Sequence, residues 1–144
     1  MFGGDRSELR AFYSDAWRKQ SLGEPLEQLE RMVCDVIEMH PEFVSVVKDA
    51  SARTRDFLEG NPYLHMGLHV ALHEQLAGDR PPGVRRLYQR ITRRFTDRHS
   101  AEHAMMACLQ ETMLDAQARG EALDSGAEKI YLRRLESLTK ARRR

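Results

Sequence analysis

The stretch NPYLHMGLHVALHEQLAG, residues 61–78, decides the fold class of this chain. Asn61 is a residue type that caps helix N-termini, and Pro62 suits the first helical position because its missing N–H would have no partner there. Leucines then recur at a spacing close to the helical period of 3.6 residues; they are Leu64, Leu68, Leu72 and Leu76. The stretch therefore predicts a helix with a leucine stripe that faces the core.

Apolar residues on both sides of this helix also follow helical spacing, and strand-like alternation is scarce. Pro41, the turn from Gly78 to Gly83, and Gly120 divide the sequence into helices with short connections. Short connections favour antiparallel neighbours. We therefore predict an all-α fold, a single-domain antiparallel helical bundle of about six helices over residues 1–139, with a basic C-terminal tail at 140–144.

Composition excludes several classes of protein. A chain of 144 residues can bury a core without help from a disulfide or a metal. The 23 basic and 22 acidic residues leave a net charge of +1, which argues against a protein that mainly coats nucleic acid. The arginines between Arg85 and Arg98 are interpreted as a solvated face, with contact to nucleic acid or to an acidic protein as the weaker alternative.

The cysteines and the hydropathy pattern indicate a compartment. Cys34 and Cys108 are too few for a disulfide framework and fit a reducing environment. No apolar run approaches the roughly 20 residues that span a bilayer, and the first residues lack the apolar segment of a signal peptide. We therefore expect a cytoplasmic protein with no membrane partner, and we leave a homo-oligomer open.

The histidines carry the functional prediction. On a helical wheel with about 100° per residue, His65 lies inside the leucine stripe, His69 beside it and His73 at its edge. His40 falls on the apolar side of the preceding long helix. His99 and His103 lie on or beside the face of another helix that Met106, Gln110 and Met113 mark as inner, with Cys108 roughly opposite. Three helices therefore each turn imidazole groups inward.

Converging imidazoles can meet their need for partners by binding one metal ion, because each buried ring nitrogen otherwise carries a desolvation cost. Two histidines four residues apart on a helix can chelate the same ion. The pattern predicts a transition metal, zinc or iron, shared by His65, His69 and His103. His40 and His99 would complete the ligands or hold them in place. The nearby carboxylates available for the same roles are Glu42, Glu74, Glu102 and Glu111.

This metal-binding prediction has a structural rival. A histidine on an apolar face is usually a hydrogen-bonded core residue, so the same positions fit a non-catalytic interaction module with structural histidines. The metal hypothesis leaves open whether the protein is a small metalloenzyme. His73, at the edge of the stripe, is expected to matter little under it.

Two long motifs resemble an uncharacterised bacterial family, domain of unknown function 1841. They are the stretch from Asn61 to Val84 and the stretch HSAEHAMMACLQETMLDAQARG at 99–120, joined by HPEF at 40–43. The resemblance covers nearly the whole chain and implies no activity. It implies that motif positions are occupied by His40, His65, His69, Glu74, His99, His103 and Glu111. His73 lies outside the motif, and Ala107 stands where the family has a glutamate.

Overall fold

The computed structural model describes residues 6–57, 59–121 and 124–140, and no strand occurs in these ranges. Two 3-10 turns, Pro41–Phe43 and Ala50–Arg53, accompany seven α-helices. The helices are α1 (Arg6–Ser21), α2 (Gln28–Met39), α3 (Val44–Lys48), α4 (Pro62–Gly78), α5 (Val84–Thr92), α6 (Arg98–Ala118) and α7 (Ser125–Leu138). The predicted all-α class is confirmed, with seven helices instead of about six. Of the predicted basic tail, residues 141–144 lie outside the described residues.

Contacts divide the chain into two compact units, unit 1 (Met1–Val70) and unit 2 (Ala71–Arg144). The boundary falls inside α4, so residues 62–70 of this helix belong to unit 1. The single domain expected for residues 1–139 therefore stays a prediction. Within the described ranges, every helix is too short or too polar to cross a bilayer.

Unit 1 is organised around the packing of α1 against α2. The Cys34 thiol donates to the Ala16 carbonyl at 3.3 Å, which places the two helices in direct contact. Ile37 from α2 and Met66 from α4 are fully buried beside them. The core residues are Tyr13, Ala16, Val33, Cys34, Val36, Ile37, Val47, Ala52, Tyr63, Met66 and Val70. Truncation of one such aliphatic residue to alanine typically costs about 2–5 kcal/mol of stability.

A buried arginine holds the segment that follows α3. The Nη1 atom of Arg10 donates to the carbonyl oxygens of Ala52 at 2.9 Å and of Arg55 at 2.8 Å. The guanidinium also lies 4.9 Å from the Tyr63 ring centre and 5.4 Å from that of Phe57. Arg10 is only 4% exposed, and its charge is offset by carbonyl dipoles and aromatic faces.

The predicted start of α4 is confirmed. The Oδ1 atom of Asn61 accepts the backbone N–H groups of Tyr63 at 3.0 Å and Leu64 at 3.2 Å. The predicted leucine stripe is partly wrong, because Leu64 is 50% exposed. A spacing of four residues advances about 40° beyond a full turn each time, so four leucines at this spacing spread over about 120° of the helix. One end of the series must leave the buried face.

Unit 2 contains residues 71–78 of α4 together with α5, α6 and α7, and the last three helices all contact one another. Arg134 of α7 ties this helix to α6, since its Nη1 donates to the Thr112 hydroxyl at 3.0 Å and its Nη2 pairs with the Asp115 carboxylate. Gly120 has a φ of 66°, a left-handed conformation that suits glycine and ends α6 as predicted. The buried apolar residues include Val84, Ile91, Phe95, Met105, Met106, Leu109, Tyr131 and Leu135.

The inner face of α6 differs from the prediction. Met113 is 39% exposed, while Cys108, which the wheel placed opposite the inner face, is buried. The buried face is centred on Met105, Leu109 and Thr112. The wheel failed here because α6 carries apolar side chains all round, including the exposed Leu114, and therefore gives a weak directional signal.

The basic face of α5 has a partly structural role. The Nε and Nη2 atoms of Arg85 donate to the carbonyls of Leu76 at 3.1 Å and Ala77 at 2.9 Å, at the C-terminal end of α4. A cation at this end of a helix stabilises it because the last carbonyls lack intrahelical partners. Arg90 also donates to the Thr139 hydroxyl at 3.3 Å.

Candidate metal centre

His40 lies where α2 ends and the chain turns. Its backbone departs from helical geometry, with φ −128° and ψ 69°, because Pro41 disfavours the helical conformation in the residue before it. The ring turns back along α2, and its Nδ1 lies 2.7 Å from the Val36 carbonyl oxygen. A carbonyl can only accept, so Nδ1 carries the proton and the lone pair of neutral His40 lies on Nε2. This is the tautomer in which a histidine binds a metal through Nε2.

A ring nitrogen of His65 lies next to the Nε2 lone pair of His40. The Nε2 atoms of His40 and His65 lie 3.0 Å apart, and the two rings are nearly perpendicular at 82°. Without a metal, His65 must donate its Nε2 proton to His40. Around a tetrahedral zinc, two nitrogens at about 2.0–2.1 Å from the ion are about 3.4 Å from each other. A metal ion could therefore replace the shared proton with little movement of either ring.

His69 joins the pair from the next turn of α4. Its ring centre lies 5.1 Å from that of His40 and 6.3 Å from that of His65. One ring nitrogen from each of the three residues lies within 4.8 Å of the others. Unit 1 therefore brings together His40, His65 and His69, three of the predicted ligands, from two segments of the chain.

The surroundings of this three-histidine cluster are apolar. His69 is fully buried and His40 is 3% exposed, whereas His65 is half-buried. Phe43 stacks on the His40 ring with an interplanar angle of 11°, and its centre lies 5.8 Å from that of His65. An apolar shell of this kind controls the access of solvent to a metal site and its local dielectric constant.

Unit 2 holds a second polar cluster. Glu102 of α6 is 5% exposed, and its Oε1 atom lies 2.8 Å from the Nε2 atom of His73. The Tyr88 hydroxyl of α5 donates to the Oε2 atom of the same carboxylate at 2.7 Å. Burial, followed by the neighbouring Glu102 carboxylate, raises the pKa of Tyr88 well above its usual range. We call this set the His73–Glu102–Tyr88 cluster.

The remaining histidines form a pair on α6. The ring centres of His99 and His103 lie 4.1 Å apart, and both residues are half-buried. Their spacing of four residues gives this contact, as the wheel predicted. Both belong to unit 2, so the prediction that His103 shares an ion with His65 and His69 stays a prediction.

The two predicted carboxylates point to solvent. Glu74 on α4 is exposed, and the exposed Glu111 on α6 lies 3.6 Å from the Arg134 guanidinium. Among the glutamates considered as ligands from the sequence, Glu102 is buried, although it was only one of several candidates. Tyr88 was missed because it reads as a core aromatic, and His73 because it lay at the edge of the leucine stripe.

A comparison of the sequence with protein families finds one matching model. It is described as "Domain of unknown function (DUF1841)" and matches residues 5–137. No curated protein matches the sequence, and no solved structure matches it either. The resemblance deduced from the motifs at 40–43, 61–84 and 99–120 is therefore confirmed.

Proposed function

The chain belongs to the DUF1841 family, whose description gives no activity, and we propose that this member binds a transition metal ion through His40, His65 and His69. Unit 1 contains all three residues, and their ring nitrogens lie within 4.8 Å of one another. The observation that carries the proposal is the 3.0 Å contact between the Nε2 atoms of His40 and His65. One of these nitrogens already presents its lone pair, and the other needs only to lose its proton.

The donor set supports particular metals. Three neutral imidazoles suit divalent zinc or iron better than magnesium or calcium, which prefer oxygen ligands. Three protein ligands also leave a coordination position for water or a substrate, the arrangement that catalytic zinc sites use. A metalloenzyme would use this position to polarise a carbonyl group or to lower the pKa of bound water.

The position of His40 supports the proposal further. A ligand histidine is commonly held by a hydrogen bond from its second nitrogen to a carbonyl or a carboxylate. The Val36 carbonyl fills this role for His40, and Phe43 restricts the rotation of the ring. A purely structural histidine pair would also use such bonds, so metal affinity decides between the two interpretations.

The test is metal analysis of the untagged full-length protein. We expect isothermal titration with zinc to find a tight site in wild type, and one equivalent fewer in the double variant His65→Ala/His69→Ala. Phe43→Leu is the matched control, because it disturbs packing at the cluster but removes no ligand, and it should keep the same stoichiometry as wild type. Equal zinc stoichiometry in wild type and the double variant would reject the proposal and favour structural histidines.

A further inference from the structure

The His73–Glu102–Tyr88 cluster has the composition of a second binding site. Its three side chains come from α4, α6 and α5, and all three belong to unit 2. The two oxygens of Glu102 face different partners, with His73 at 2.8 Å from one and Tyr88 at 2.7 Å from the other. The carboxylate therefore contacts an imidazole nitrogen and a phenol oxygen at the same time.

We propose that this cluster is a second metal site and that it takes ferric iron. Each of the two Glu102 contacts has the length expected between neighbouring ligands of an octahedral ion. Neighbouring ligands at about 2.0–2.1 Å from such an ion lie about 2.8–3.0 Å from each other, which is close to both contacts of Glu102. The ion would be bound by Nε2 of His73, the Glu102 carboxylate and the phenolate oxygen of Tyr88.

The chemistry of the donors selects the ion. A phenolate and a carboxylate bring two negative charges on hard oxygen atoms, so the set favours a small, highly charged cation. The unit 1 cluster offers three neutral nitrogens and favours a divalent ion instead. The two sites therefore differ in preference, and a metal that fills one need not fill the other.

The binding step is a proton exchange without a redox change. The Tyr88 hydroxyl donates its hydrogen to Glu102 before binding. On binding, the phenolic O–H bond of Tyr88 breaks and its proton passes to solvent. The His73 Nε2–H bond, which faces a carboxylate that can only accept, also breaks, and Nδ1 takes up a proton so that the ring stays neutral with its lone pair on Nε2. The phenolate oxygen and Nε2 then form bonds to an iron that is supplied as ferric ion. The His73 side chain is 18% exposed and Tyr88 is half-buried. The ion can therefore enter the cluster from solvent, and the released proton can leave to solvent.

The experiment uses the full chain and ferric nitrilotriacetate. A phenolate bound to ferric iron gives a charge-transfer band in the visible region, which histidine and carboxylate ligands do not produce. We expect wild type to develop this band up to one equivalent and Tyr88→Phe to lack it while remaining folded by circular dichroism. Tyr131→Phe is the matched control, because Tyr131 is a buried tyrosine of the same unit, and it should keep the band.

The result of the ferric titration does not depend on the result of the zinc titration. The variant His65→Ala should keep the visible band although it weakens zinc binding, so either site can fail alone. Glu102→Gln removes the negative charge but keeps the shape, and we expect it to shift the ferric titration to higher concentration. Absence of the band in wild type, or a band of equal strength in Tyr88→Phe, would overturn the second site.

Discussion

The Nδ1 atom of His40 lies 2.7 Å from the carbonyl oxygen of Val36, one helical turn earlier in α2. The last carbonyls of a helix lack intrahelical donors, so a side chain at the helix end can supply one. His40 does so with the nitrogen that faces away from His65. The end of α2 and the orientation of the candidate ligand therefore depend on the same bond.

The first prediction concerns Pro41, which ends α2 at His40. We expect Pro41→Ala to weaken zinc binding by about 10–100-fold, as loss of a residue that orients a ligand typically does. Alanine allows His40 to adopt helical geometry, and its ring would then leave the Val36 carbonyl. Competition titration against a chelator measures the affinity. Pro82→Ala, at an exposed proline of unit 2, is the control, and an unchanged affinity in Pro41→Ala would contradict this account.

The second prediction tests the hypothesis, made from the sequence, that His103 binds the same ion. If it does, His103→Ala should lower zinc affinity to an extent comparable to His65→Ala. Thr112→Val is a suitable control on α6, because it changes a buried residue of that helix that carries no metal-binding nitrogen. A His103→Ala variant with the zinc affinity of wild type would restrict the site to unit 1.

The third prediction links metal, pH and stability. Zinc at about 100 times its dissociation constant should raise the free energy of unfolding by about 2.7 kcal/mol, provided that it binds only the folded chain. Protons compete with the metal for imidazole nitrogens, so this gain should shrink as the pH falls. Thermal unfolding with and without zinc across a pH series measures it. A gain that does not change with pH would be inconsistent with histidine ligands.

The fourth prediction concerns the thiols. Burial raises the pKa of Cys34 to about 11 and also raises that of Cys108. Because only the thiolate is nucleophilic, both should react slowly with a thiol reagent at pH 8 in the native protein and rapidly in denaturant. The variant Cys108→Ala assigns the remaining rate to Cys34. Rapid labelling of that variant under native conditions would show that the α1–α2 contact is open.

The fifth prediction concerns alkaline pH. Burial raises the pKa of Tyr131 above the value near 10 of an unfolded tyrosine. The folded state therefore keeps a proton that the unfolded state loses, and stability contributed by Tyr131 declines as the pH rises above 10, by at most about 1.4 kcal/mol per pH unit. Tyr131→Phe should flatten this part of the stability curve. Parallel curves for wild type and variant above pH 10 would contradict the assignment.

The all-α fold class could be predicted from the sequence because it depends on local patterns of residues. Asn61, Pro62 and Gly120 act within one helical turn, so their roles could be predicted without knowledge of the rest of the fold. The proximity of His65 and His69 to His40 could also be predicted in part, because each of the three lies on the apolar side of its own helix. The Val36 and Phe43 contacts were not, since they depend on how the chain turns at Pro41.

The histidines of α4 show what a helical wheel cannot predict. His65 and His73 are two steps of four residues apart, which rotates them by about 80° relative to each other. A helical wheel therefore places them on different parts of the surface of α4. It does not predict which residues of other helices each of them contacts. His73 contacts a buried glutamate of α6, a helix whose inner face the wheel placed wrongly. Pairing between distant segments is set by tertiary packing, which a single sequence does not reveal.

Arg10 has a consequence for local unfolding. Three carbonyl oxygens of the segment 52–55, those of Ala52, Arg53 and Arg55, bond to one guanidinium on α1. Those bonds cannot be lost one residue at a time without leaving a buried charge poorly solvated. The segment should therefore open as a unit and not fray from either end. Its amide hydrogens should then exchange with solvent at one common rate.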